Sequence, residues 1–135
     1  MATVAYRIFR RSRLSGRGLD LVKDDIRAAL VTSAYTPDAV KHKTFSDVTG
    51  EVKAAGYSSG GKFLEGQRIV EGASGPAFFA KDLTWEKASI LARGIVLYFA
   101  KTNELITYSD FGKDVSSTDD AFKVLWDSAG ILELI

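Results

Sequence analysis

The sequence predicts a mainly β, single-domain fold: an antiparallel β-sandwich or partly open barrel of about seven strands with a short N-terminal helix. Three observations predict it. Seven apolar or alternating stretches recur at short spacing between residues 25 and 135, with no helices alternating between them. Two of these, residues 25–35 and 90–99, are apolar on both faces, as interior strands are. A chain of 135 residues that is 46% hydrophobic can bury one self-sufficient core.

The helical pattern is N-terminal, over residues 3–14. Ala5, Ile8, Phe9 and Ser12 fall on one side at spacings of three and four, while Arg7, Arg10 and Arg11 cluster on the other. Gly16 and Gly18 stop it. A strand is the rival reading, because Val4, Tyr6 and Ile8 also alternate.

Period two then takes over. In "DIRAALVTSAY" (25–35), Ile26, Ala28 and Leu30 share one face and Ala29, Val31 and Tyr35 the other. Thr36-Pro37-Asp38 ends this strand, since proline fixes φ and donates no hydrogen bond. Residues 39–61 are polar and glycine-punctuated, and read as a long loop with one helical turn around Phe45–Val48. Strand signals resume at 62–71, 77–85, 90–99, 105–111, 121–126 and 131–135. Asp127-Ser128-Ala129-Gly130 joins the last two and predicts a closing β-hairpin. Trp85 and Trp126 end two of these strands, which predicts rim positions with a partner for each indole N–H.

Candidate chemistry is sparse. The chain has no cysteine, which removes disulfides, thiolate ligands and a thiol nucleophile together. His42, the one histidine, lies between Lys41 and Lys43 in the polar loop, a poor start for a catalytic base; it reads as an exposed bystander. The acidic pairs Asp24-Asp25 and Asp119-Asp120 read as turn initiators, not as an acid–base couple. "GYSSGGK" (56–62) and "EGASGP" (71–76) match neither glycine-rich phosphate motif and precede strands, so both read as flexible loop tips. The expectation is therefore no catalytic, cofactor-binding or metal-binding residue. No apolar run approaches the ~18 residues of a membrane span, and the basic N-terminus lacks the apolar stretch of a secretory signal.

Charge is distributed unevenly. Residues 1–18 hold Arg7, Arg10, Arg11, Arg13 and Arg17 and no acid, whereas residues 19–135 hold 13 basic and 17 acidic side chains, a balance of −4. The chain thus divides into a basic N-terminal helix or arm (1–18) and a β-sandwich domain (19–135). A nucleic-acid platform interleaves its aromatics with basic residues on one face. Here the arginines crowd the first 18 residues while most of the 15 Phe, Tyr and Trp lie in the acidic body. The five arginines are the candidate partner-binding residues, with a protein carboxylate surface preferred to phosphate.

An ordered series of segments carries a resemblance: "DDIRAALVTSAYTPD" (24–38), "FSDVTGEV" (45–52), "GYSSGGKFLEGQ" (56–67), "DLTWEKASILARGIVLY" (82–98), "LITYSDFGKDVSS" (105–117) and "WDSAGILEL" (126–134). Together they resemble small structural proteins of tailed-bacteriophage virions, of the head-decoration, head-fibre or minor-tail type. The resemblance implies a non-enzymatic virion component without cofactors, assembled with itself and docked on the major capsid protein or another virion protein. It places the chain on the particle, on the head in preference to the tail or head–tail connector. The arginine-rich N-terminus departs from the short mixed helix of such proteins, so it is the attachment mode that the resemblance leaves open.

Overall fold

Backbone pairing sorts the strands into three antiparallel sheets. The computed structural model describes residues 2–15, 20–72, 75–127 and 130–133. The largest sheet has five strands: β1 (Ala2–Ala5), β2 (Ile26–Val31), β3 (Lys62–Phe63), β7 (Leu91–Phe99) and β8 (Leu105–Ser116), in the order β1-β8-β7-β2-β3. A second sheet orders β10 (Leu132–Glu133), β5 (Gly75–Phe79) and β4 (Arg68–Gly72), and a third pairs β6 (Leu83–Ala88) with β9 (Asp120–Val124). One α-helix, α1 (Arg7–Ser15), and one 3-10 turn (Phe45–Asp47) are present among the described residues. The fold is mainly β, with antiparallel sheets and no closed barrel.

The two strands with apolar residues on both faces do lie inside the main sheet, and the reason is visible in the core. On one side of β2 and β7, Ile26, Ala28, Leu30, Ile95 and Leu97 join Phe78, Leu83, Trp85, Phe122 and Val124 from the two smaller sheets. On the other, Ala29, Val31, Val96 and Tyr98 join Tyr6, Tyr35, Leu105 and Tyr108, covered by Phe45 and Val48. A strand buried on both faces gains burial from every residue, which is why it loses the alternation of a half-exposed one.

Several boundaries differ from the sequence reading. Both rival readings of the N-terminus are realised: residues 2–5 are strand, paired with Thr107–Asp110 of β8, and the helix starts at Arg7. The 62–71 and 77–85 stretches each break into two strands, so that with β1 the described residues hold ten strands instead of about seven. Among the described residues the closing hairpin does not form between its predicted strands. β9 pairs with β6, β10 pairs with β5, and the Ile131 amide bonds Phe78 O at 2.8 Å. Turn chemistry at 127–130 permits a reversal but leaves the strand's partner to the packing of Ile131 in the main core; Ser128 and Ala129 lie outside the described residues. Trp85 is not at a rim: it is 1% exposed, with Phe122 edge-on at 6.4 Å and Tyr57 at 6.0 Å. Trp126 does hold a rim place, its indole N–H donating to Lys81 O at 3.1 Å.

"GYSSGGK" is no flexible tip either. The Glu51 carboxylate accepts from the Tyr57 hydroxyl at 2.6 Å and the Gly60 amide at 2.7 Å, while the Tyr98 hydroxyl donates to Gly60 O at 2.6 Å. The glycines let this loop lie against β2. Among the other segments, "EGASGP" spans the β4–β5 turn, with Gly72 opposite Gly75 and Ala73 and Ser74 outside the described residues.

Candidate functional site

The candidate site is a groove of about 620 Å³ between α1 and the 38–43 segment, lined by Arg7, Ile8, Arg10, Arg11, Leu14, Val40 and Lys43. Its first wall is set by how α1 docks. Phe9 is buried in the main core with Phe99 at 6.4 Å, and the Ser12 hydroxyl donates to the buried Glu104 carboxylate at 3.1 Å. Helical spacing then turns Arg7, Arg10, Arg11 and Leu14 outward along one stripe. All four are exposed, Leu14 by 92%. The side containing Phe9 and Ser12 is thus the buried one, as the spacing predicts, but of the other two residues assigned to it Ala5 lies in β1 and Ile8, half-buried, lines the groove.

The second wall is built by short-range hydrogen bonds in a segment with few apolar residues. Asp38 Oδ1 accepts from the amides of Val40 at 3.0 Å and Lys41 at 2.9 Å; Asp47 Oδ2 accepts from Lys43 at 2.9 Å and Thr44 at 3.2 Å. Asp38 thus makes the aspartate turn that follows Thr36-Pro37, and Asp47 closes a capping box with Thr44 at the start of the 3-10 turn. The segment is then tied to its surroundings: the Arg7 amide donates to Ala39 O at 2.7 Å, the Leu105 amide to Lys43 O at 2.9 Å, and Phe45 stacks on Tyr98 at 4.3 Å.

Behind the groove runs a hydrogen-bonded relay. The Asp38 amide donates to His42 Nδ1 at 3.1 Å, so that nitrogen is an acceptor. Tyr35 Oη, 2.8 Å away, therefore donates to it, and Tyr6 Oη donates to Tyr35 Oη at 2.7 Å. Burial, and for Tyr6 also the Tyr35 contact, pushes both phenols above the usual tyrosine range, keeping them neutral donors. His42 is accordingly half-buried and structural, not the exposed bystander its lysine neighbours implied. Tyr35→Phe is expected to cost about 1–3 kcal/mol, because it strands the hydroxyl of Tyr6, a side chain only 1% exposed; urea denaturation reads this directly.

Comparison with known proteins gives no family to lean on. No family model matches this chain, and neither does any curated protein or solved structure. Function must be argued from the groove itself. Of the five candidate arginines, Arg7, Arg10 and Arg11 come together there. Arg13 does not: it lies over the Phe9 ring at 5.9 Å and lines a separate groove with Asp20, Leu21, Val22 and Ile69. Arg17 lies outside the described residues. Ile8, Leu14, Val40 and Lys43 belong to the site and were missed by the sequence reading. Val40 and Lys43 sit in what reads as polar loop, and nothing local signals that the Arg7–Ala39 bond brings them to α1. Among the described residues, Arg7, Arg10, Arg11 and Lys43 have no carboxylate partner; no group of three or more His, Cys, Asp or Glu could hold a metal ion, and no helix is long and apolar enough to cross a membrane.

The two aspartates give the site a pH dependence. Amide donors, Lys41 then Val40 for Asp38 and Lys43 then Thr44 for Asp47, hold both carboxyls below the usual carboxylate range. A depressed folded pKa stabilises the fold fully above the unfolded value of about 3.9, and that contribution is lost as pH falls through the folded value. The urea midpoint is expected to fall on acidification below about pH 4. The double variant Asp38→Ala/Asp47→Ala should show a shallower fall over the same interval.

Proposed function

We propose that this chain is a non-enzymatic structural component of a tailed-phage virion. In this reading it is a capsid-decoration or head-fibre-base protein, self-associating and docked on the major capsid protein or another virion protein. The observation that carries the reading is the cluster of Arg7, Arg10, Arg11 and Lys43, exposed around a groove and without carboxylate partners among the described residues. Unpaired guanidiniums held on a docked helix are suited to carboxylates on another protein, because the planar fork pairs with them bidentately. The mildly acidic body supports the same reading, since its charge balance of −4 is not that of a strongly basic nucleic-acid-binding domain. The ordered segments that resemble phage virion proteins supply the setting.

Mass spectrometry and cryo-EM of purified particles test the proposal. The chain is expected in intact virions as repeated density on the head surface. Its absence from the particles would end the reading, and density confined to the tail or connector would move the protein there.

A further inference from the structure

The α1 groove combines charge with apolar surface in a way that narrows its partner. Three arginines and a lysine surround Ile8, Leu14 and Val40, and the lining contains no aromatic ring. Leu14 is 92% and Val40 56% exposed, one on each wall. Single-stranded nucleic acid is held by basic grooves whose aromatic rings stack on bases. This lining has the charge without the rings, and phosphate contacts would leave its two exposed aliphatic side chains uncovered. A carboxylate-only surface would do the same.

We infer that the groove takes an acidic amphipathic segment of a partner protein, its carboxylates meeting Arg7, Arg10, Arg11 and Lys43 and an apolar side chain lying between Leu14 and Val40. This rests on the docking reading above and names the chemistry of the docked surface. Charge complementarity selects the acids; the exposed aliphatics on both walls select the apolar anchor. The nine residues of α1 give a contact length of about 13 Å, or two to three turns of a partner helix. Both walls are fixed beforehand, α1 by Phe9 and Ser12 and the opposite wall by Asp38, Asp47 and the Arg7–Ala39 bond. Little ordering is therefore left to oppose binding. Arg13, over Phe9 in its own groove, takes no part.

The test is fluorescence anisotropy on the full chain with three labelled probes. One is a helical peptide of glutamates with leucines at i, i+4 spacing, one is polyglutamate of the same length, and one is oligo-dT of equal charge. The amphipathic peptide is expected to bind about tenfold more tightly than either other probe. Leu14→Glu, and separately Val40→Glu, should each weaken it about tenfold with the circular dichroism spectrum unchanged, whereas Arg13→Gln should leave it unchanged. Equal or tighter binding of oligo-dT would overturn the inference in favour of nucleic acid. Equal binding of polyglutamate, no binding of any probe, or an Arg13→Gln effect matching that of Arg10→Gln would overturn it as well. Particle incorporation separates the two readings. If Leu14→Glu chains enter virions normally, the groove assignment fails and the virion role stands; if wild-type chains are absent from virions, the virion role fails whatever the peptide does.

Discussion

Replacing Arg10 and Arg11 together with glutamate is expected to strip the protein from purified particles while leaving the isolated domain folded. Both side chains are exposed and line the groove, so no core contact is lost. α1 has no acidic residue in its first turn, and glutamates in its N-terminal half suit the helix dipole better than arginines do. The expected change in stability is therefore small. Binding behaves differently, because each reversal removes a charge pair and places a like charge against the partner's carboxylates. At about 2 kcal/mol each, the two together lower the association constant about a thousandfold. Gel quantification of the variant against wild type in particles, with a thermal melt of each free protein, checks both halves. A variant that melts early would mark this stretch of α1 as structural; one that incorporates normally would remove α1 from the interface.

The largest stability effect is expected at Gly61. Its φ is +82°, a conformation that costs an L-residue about 1–2 kcal/mol. A Cβ there would lie 1.9 Å from Ala28 O, 2.6 Å from Ala28 C and 2.8 Å from Ala29 Cα. Those atoms are backbone of β2, an interior strand with core on both faces, so the clash can be relieved only by pushing β3 and its loop away. Gly61→Ala is expected to lose about 3–5 kcal/mol in total, a large share of the ~5–15 kcal/mol that holds a domain together. Gly112→Ala is the control. Its φ is +84°, but nothing lies within 4 Å of the added Cβ, so only the backbone cost of about 1–2 kcal/mol remains. Equal urea midpoints for the two variants would show that β3 does not press on β2 as described.

Gly61 also shows where sequence reasoning stopped. Five glycines and serines in seven residues, "GYSSGGK", read as a loop, and a loop it is. Its anchoring depends on Glu51, Tyr98 and the β2 backbone, whose proximity no local pattern encodes. The N-terminus is similar. Val4 and Tyr6 alternate while Ile8, Phe9 and Ser12 follow helical spacing, and both signals were true of adjacent stretches. The switch between them is fixed by the end of pairing with β8, about a hundred residues away in sequence.

By itself the sequence determined the fold class, the two interior strands, the helical turn near Phe45, the inward side of α1 and its arginine-bearing outer side. Each follows from the order of apolar and charged residues along a short segment, where hydrophobic burial acts through the local period of helix or strand. Tertiary structure alone decided strand partnership, the burial of Trp85, the structural role of His42 and the second wall of the groove. Those depend on which distant segments meet, and pairing energy is nearly blind to the identity of the strand that supplies it. Only the joint packing of Ile131, Trp85 and the tyrosine cluster on opposite faces of one sheet selects among the alternatives. Arg7, Arg10 and Arg11 could be read as a surface from their spacing; that surface became a groove when the Arg7 amide met Ala39 O and brought Val40 and Lys43 to its other side.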